Sequence, residues 1–551
     1  MLLSPSTELR INPWILMGIF CLLVGPFALD FHMHYPDEIY YRDAAVKMME
    51  NGDYLTTYLG SGELRFKKPI LTYWAVLAGF KLFGVNAFAS RIFFLLAGAA
   101  TVGLTYKLSI ILFEKKKIAG ISALIMASNP VLILSASRSI PDVLLVLTMT
   151  ISAIGFAGYL KYGNQAPKWS PWALYLGLAL AFEVKGLPAA ALGGIGILYL
   201  LINPWQRISW KKLLHLPAIL ISVFIGLFWF AAMWKIHGPT YLDNFLEDQV
   251  GIRVASRIAL ILKNGLLASF LLVVIFIPWI FFMFPNLKKS AQTCWKENPQ
   301  FIGFAILWGL AILGMGALTS KFYERYLLPV APVLAVGIAW LLVEAKFESQ
   351  RRGLKAGSLA FYSLNLILLV VGAYLAFSGV MPWMQLSLLL LVLLYLGLLL
   401  FRGNKLPKVI AFSMMSLFLG ISLITSHISF PHQGQQFSQK IKTESKSEVG
   451  FLGNLHVGSK IRLMLFPETH LTDLSRTNWA VQFEQYDQVI VEDSYLDSVF
   501  YRSGNYSVRD SSVNWNSRAI PELLKNYGKP EFEDLLQEKG KKYYLLEKRN
   551  Q

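Results

Sequence analysis

A polytopic α-helical membrane protein ending in a soluble α/β domain is the fold class that this sequence predicts, and three observations predict it. Of the 551 residues 55% are hydrophobic and only 15% charged, against about a quarter charged in soluble globular chains. Mean hydropathy is +0.48. Apolar runs long enough to cross about 30 Å of hydrocarbon recur as far as residue 428 and then stop. An ordinary cytosolic enzyme, a disordered chain and a disulfide scaffold are excluded. Cys21 and Cys294 fall in or beside apolar segments and make no metal or redox motif.

About thirteen transmembrane helices follow from the runs at 13–31, 89–113, 118–135, 141–160, 171–186, 187–203, 214–235, 263–284, 301–319, 326–344, 357–377, 384–401 and 409–427. The apolar stretch 69–83 is short, opens on Lys67-Lys68-Pro69 and contains Lys81, so it is expected along the membrane surface. With this count, alternate connections are strongly basic. They carry Lys115-Lys116-Lys117, Lys161 with Lys168, Arg207 with Lys211 and Lys212, and Lys288 with Lys289 and Lys296. Lys346 with Arg351, Arg352 and Lys355, and then Arg402 with Lys405 and Lys408, continue the series. Positive charge retained inside makes these loops cytoplasmic. Much of the net charge of +17 is thereby a topology signal, and nucleic acid is not expected as a partner.

The first span lacks a small-residue cleavage site and is expected to stay as an anchor with the amino terminus in the cytoplasm. An odd span count puts the carboxyl terminus outside, the periplasm of a bacterial inner-membrane protein. Residues 1–428 are thus expected as a transmembrane domain that includes the outer loop 32–88, and 429–551 as a periplasmic α/β domain, large enough for its own core. In the latter, Val449 to Leu452, Ile461 to Phe466, Gln488 to Val491 and Lys542 to Leu546 read as strands, and Pro521 to Lys539 as an amphipathic helix.

Retention inside cannot explain ionisable residues on the outer side, so these are the candidates for chemistry. The first outer loop opens His32-Met33-His34-Tyr35-Pro36-Asp37-Glu38, followed by a helical pattern from Ile39 to Asn51 stopped by Gly52. Asp37 is either a helix cap or a carboxylate presented at the membrane surface. Asp142, in Arg138-Ser139-Ile140-Pro141-Asp142, either closes a capping box with Ser139 or is a second such carboxylate. Cations arrive from other outer connections: Lys67 and Lys68, Lys185, Arg253 and Arg257, and Lys321 with Arg325 before Tyr326. Singly each is explained by snorkelling to the interface. Together they suit a phosphorylated lipid, with cations on the phosphate and a carboxylate for a proton or a developing positive charge. Most of these charges lie at span ends, whereas a transporter would place them near the midplane. Glu183 is the exception, and pairing with Lys185 or the interface would account for it.

The order of these motifs resembles the protein O-mannosyltransferase type of the GT-C superfamily, and most closely its lipid A 4-amino-4-deoxy-L-arabinose transferase branch. The resemblance rests on Asp37-Glu38, Asn51-Gly52-Asp53-Tyr54, and Lys67-Lys68-Pro69 leading into Leu71-Thr72-Tyr73-Trp74 and Leu82-Phe83-Gly84. Pro141-Asp142, Lys185-Gly186 and Arg325-Tyr326-Leu327-Leu328-Pro329 complete it, over roughly residues 10–345. It implies a membrane glycosyltransferase that moves a sugar from a polyprenyl phosphate to a lipid or protein acceptor at the outer face. Asp37 would be the principal catalytic carboxylate and Asp142 the second acidic one. Lys68, Arg253 and Tyr326 match positions that contact the carrier phosphate, while Glu38, Lys67, Lys185 and Arg325 would line the site. The family usually has Glu-Lys-Pro where this chain has Lys67-Lys68-Pro69, and a lysine cannot help to hold a metal. No cofactor is assigned, and a divalent ion would have Asp248 or Glu38 at most.

Overall fold

The computed structural model describes residues 11–29, 36–247, 257–285, 287–344, 347–402, 405–428, 437–441, 448–475, 478–515, 522, 525–526 and 529–549. These form two compact units. One comprises Met1–Met33, Phe66–Thr72 and Arg91–His427, and the other His34–Arg65, Tyr73–Ser90 and Ile428–Gln551. Most of the first outer loop, apart from Phe66–Thr72, therefore shares a unit with the C-terminal chain.

In the first unit every predicted span falls on helical chain. Eight helices are long and apolar enough to cross a membrane, and a ninth span forms if Lys116–Ala127 and Pro130–Ala136, bent by 60°, count as one. The bend has a local cause: Asn129 accepts from the backbone N–H groups of Val131 and Leu132, and Pro130 starts the second segment. The remaining apolar helices, Pro13–Leu29, Trp169–Lys185, Leu187–Ile202 and Ile258–Val274, have 16 or 17 residues, the lower end of spanning length at about 17. Leu71–Phe83 has 13 residues and is too short to cross.

Helix ends sort as the charge pattern requires. Lys115 Nζ lies 3.2 Å from Glu344 and Lys161 Nζ 3.5 Å from Glu114. Tyr199 donates to the Gln300 carbonyl at 2.7 Å. Each pair joins connections read as cytoplasmic. The helices Pro141–Tyr162 and Trp169–Lys185 pack closely because small residues face one another. A Cβ on Gly155 would stand 2.3 Å from the Leu174 nitrogen, and one on Gly177 2.4 Å from that of Ser152. This close approach, typical of membrane helix pairs, carries the start of one helix to the end of the other.

In the second unit a five-stranded sheet runs in the order β2-β1-β3-β5-β4, with β1 Glu448–Leu452, β2 His470–Asp473, β3 Gln488–Glu492, β4 Tyr506–Trp515 and β5 Gly540–Lys548. β2, β1 and β3 are parallel, while β5 is antiparallel to β3 and to β4. Alternation along β3 puts Ile490 in one core with Val449 and Leu545, and Val489 and Val491 in another with Phe483 and Leu546. Both faces are thus covered, as a parallel sheet needs. One expectation is corrected here: Ile461 to Phe466 is not a strand but the end of the helix Leu455–Leu465. Val457, Ile461 and Leu465 recur every four residues and enter one core, a period that a window opening at Ile461 cuts in half. The amphipathic segment expected from 521 is helical over Phe532–Lys539, most of the rest lying outside the described residues.

Candidate active site

In the first unit the helix start at Pro141 delivers Asp142. The capping box with Ser139 does not form: the cap position is Ile140, with no side-chain bond to the helix. The carboxylate is engaged by two cations instead. Lys185 Nζ stands 2.6 Å from Oδ1 and Arg325 Nε 3.2 Å from Oδ2, and Lys68 adds to the field at the same group. Lys68, Asp142 and Arg325 are all buried. Aromatic rings hold the cations: Lys185 Nζ lies 4.4 Å from the centre of the Tyr326 ring and Arg325 Cζ 4.1 Å from that of Tyr323. One carboxylate and three cations are therefore contributed by four segments of chain. Asp142 orients Lys185 and Arg325, and the cluster as a whole suits an oxyanion.

Glu183 does not pair with Lys185, which corrects the bland account of that residue. Its Oε1 accepts from the Trp229 backbone N–H at 3.2 Å, so it faces another helix. Lys67 is exposed, unlike its buried neighbour Lys68. Arg253 and Asp248 lie outside the described residues. Tyr323 is missed by the sequence reading, although the spacing Tyr323-Glu324-Arg325-Tyr326 in a 3-10 turn brackets the guanidinium with rings.

In the second unit Asp37 is half-buried in the 3-10 turn Pro36–Glu38 that leads into the helix Ile39–Asn51. Of the two readings of Asp37, the helix cap is not the one seen. Glu38 occupies the cap position, fully buried, without a side-chain capping hydrogen bond. The helix is tied down through Asp43, whose Oδ2 is 2.8 Å from Arg462 Nη1 and whose Oδ1 accepts from Ser459 at 2.7 Å. Arg462 also donates to the carbonyls of Gly60 and Leu471, both at 3.2 Å. Polar groups of the Leu455–Leu465 helix gather on this side. Burial and Lys460 push the His456 ring below its usual range, with Asp37 and Asp43 acting the other way. Burial and the Arg42 guanidinium push Lys460 down to about 8.

Among the described residues no group of three His, Cys, Asp or Glu side chains is arranged to hold a metal. Lys67 supplies a cation where the resemblance would have a carboxylate.

Residues 14–242 match the family model described as dolichyl-phosphate-mannose-protein mannosyltransferase. The fold is that of ArnT from Cupriavidus metallidurans bound to undecaprenyl phosphate, with a TM-score of 0.68 and 19% identity over 90% of this chain and 96% of that one. The likeness in sequence and in fold points the same way, toward membrane glycosyltransferases of this kind. The apo form of the Cupriavidus metallidurans ArnT gives a TM-score of 0.64. Among sequences, a protein of Aquifex aeolicus without an assigned function is 27% identical over 64% of this chain and 68% of its own length. The undecaprenyl phosphate-α-4-amino-4-deoxy-L-arabinose arabinosyl transferase of Pseudomonas paraeruginosa is 26% identical over 66% of this chain. The matched region spans 65% of that GT-C relative's length.

Proposed function

We propose that this protein is a GT-C glycosyltransferase that transfers a sugar from a polyprenyl phosphate to an envelope acceptor, lipid A or a related glycolipid, at the outer face of the bacterial inner membrane. The observation that carries this is the buried cluster in which Lys185, Arg325 and Lys68 gather on Asp142. Such a cluster at span ends matches a lipid-borne phosphate. The basic connections meet at the opposite helix ends, which supports an outer site, a cytoplasmic amino terminus and a periplasmic C-terminal domain.

The chemistry follows from charge. Breaking the bond between the anomeric carbon and the phosphate oxygen builds positive charge on the sugar and leaves the electron pair on the phosphate. Lys185, Arg325 and Lys68 stabilise that departing phosphate, with Tyr326 and Arg253 as further contacts. By the resemblance, Asp37 takes the acceptor proton or holds an already ionised acceptor in line, and Glu38 and Lys67 are further residues of the site. A single displacement inverts the anomeric centre. Retention in the product, seen by NMR, would rule that out.

Purified protein in proteoliposomes, given undecaprenyl-phosphate aminoarabinose and lipid A, is expected to raise the lipid A mass by one sugar. Asp37→Asn, folded and inserted, is expected to lose that transfer, and full activity in the variant would remove Asp37 from the mechanism. The family model is named for a protein acceptor, so a mass shift on envelope proteins with none on lipid A would move the acceptor from lipid to protein.

A further inference from the structure

Arg65 has a setting that the proposed chemistry leaves unused. It closes a small hairpin in the outer loop: its N–H donates to the Thr57 carbonyl at 2.9 Å, the Thr57 hydroxyl donates back to the Arg65 carbonyl, and Tyr58 bridges Leu64. The guanidinium is thereby delivered onto tyrosines. Its Cζ lies 4.2 Å from the centre of the Tyr40 ring and 6.0 Å from that of Tyr41, and Nη1 donates to the Tyr73 hydroxyl at 2.8 Å. Tyr41 and Tyr73 are buried with ring centres 4.9 Å apart, so the cradle is rigid. Among the described residues no carboxylate pairs with Arg65, and its remaining N–H groups donate to nothing.

An arginine that is stacked, half-buried and oriented by one hydroxyl presents a planar fork of donors whose entropy of ordering is already spent. Two parallel N–H bonds to an oxyanion are what that fork fits. Tyr40 and Tyr41 follow Asp37 by three and four residues, and all of these groups lie in one compact unit. The carrier phosphate already has the cations gathered on Asp142. We infer that Arg65, in its tyrosine cradle, is an oxyanion subsite that receives a phosphate of the acceptor beside Asp37. This rests on the proposed transfer only for calling the ligand an acceptor.

The test pairs binding with turnover, using the full chain. Native mass spectrometry measures binding of lipid A and of enzymatically dephosphorylated lipid A to the wild type, Arg65→Lys and Tyr73→Phe. Lysine keeps the charge and loses the fork, while phenylalanine removes only the orienting hydroxyl. Arg65→Lys is expected to weaken the phosphorylated form about tenfold and to leave the dephosphorylated form unchanged, with Tyr73→Phe intermediate. Equal weakening of both forms, or none, overturns the subsite. In transfer assays the acceptor KM is expected to rise about tenfold, with kcat and donor KM within about twofold. A rise in donor KM instead assigns Arg65 to the carrier phosphate and overturns the acceptor assignment. If the wild type transfers no sugar yet binds phosphorylated lipid through Arg65, the proposed transfer fails and the subsite stands.

Discussion

Asp142 shows how much a single carboxylate decides at the residue scale. Its two oxygens are divided between a lysine and an arginine from different helices, so Asp142→Asn strands two cations that it now neutralises. Breaking a buried pair costs about 3–5 kcal/mol, and the variant is expected to show a lower thermal midpoint as well as weak transfer. Lys185→Met leaves Arg325 on Asp142 and is expected to fold, with donor KM raised at least tenfold, as loss of one charge-assisted contact of about 1.5–3 kcal/mol implies. A normal donor KM in that variant would exclude Lys185 from the phosphate. Lys460 gives a pH effect with a definite sign. Burial and Arg42 lower its folded value to about 8 from the ordinary 10.5, so between those values the unfolded chain binds the extra proton. Stability is therefore expected to rise as pH climbs through that window and to fall as pH drops toward 8. Lys460→Met, lacking the buried charge, is expected to unfold at higher temperature than the wild type at pH 7, with the gap closing above pH 10.5. A gap that does not change with pH would show that packing alone is responsible.

At the scale of elements, the helix behind Asp37 is held by the C-terminal helix Leu455–Leu465. Arg462 is only 1% exposed, bridges Asp43 to the Gly60 carbonyl, and lies where a Cβ on Gly60 would come within 2.3 Å of Nη1. Only glycine admits that approach. Arg462→Met is expected to cost about 3–5 kcal/mol and to open the 36–65 loop to limited proteolysis, with the membrane helices intact. Asp43→Asn combined with Arg462→Met is expected to recover part of the loss, because no buried charge is then left alone. Failure of the pair to recover anything would mean that Arg462 acts through its carbonyl contacts. The C-terminal sheet thus has a physical connection to the proposed catalytic loop. Its helix was the element hardest to read, since Ile461-Arg462-Leu463 alternates like a strand while the four-residue spacing from Val457 belongs to a helix.

For the whole molecule, orientation is the property to test. Ser378→Cys, between Phe347–Phe377 and Trp383–Phe401, is expected to react with a membrane-impermeant maleimide from outside. Arg402→Cys, at the far end of the second of these helices, is expected to react only after permeabilisation. The reverse pattern would invert every assignment of side, and with it the donor class. Among the described residues the apolar helices, the short helix Leu71–Phe83 and the C-terminal strands at Glu448–Leu452, Gln488–Glu492 and Gly540–Lys548 were legible in order along the chain. Span count was less so, because four apolar helices have 16 or 17 residues and two more share one bent path. Asp142, Lys185 and Arg325 were each legible as charges at span ends, but the capping box of Asp142 and the Glu183–Lys185 pair were local readings that distant partners displaced.

Taken alone, the sequence determined what depends on neighbours along the chain: apolar length, charge alternation between connections, and the motif order that points to GT-C enzymes. Tertiary structure alone decided which charges meet. Asp142 and Lys185 are separated by 43 residues and Asp43 and Ser459 by 416, and no local pattern encodes such pairings. They are selected by helix packing that leaves a buried charge no cheaper partner.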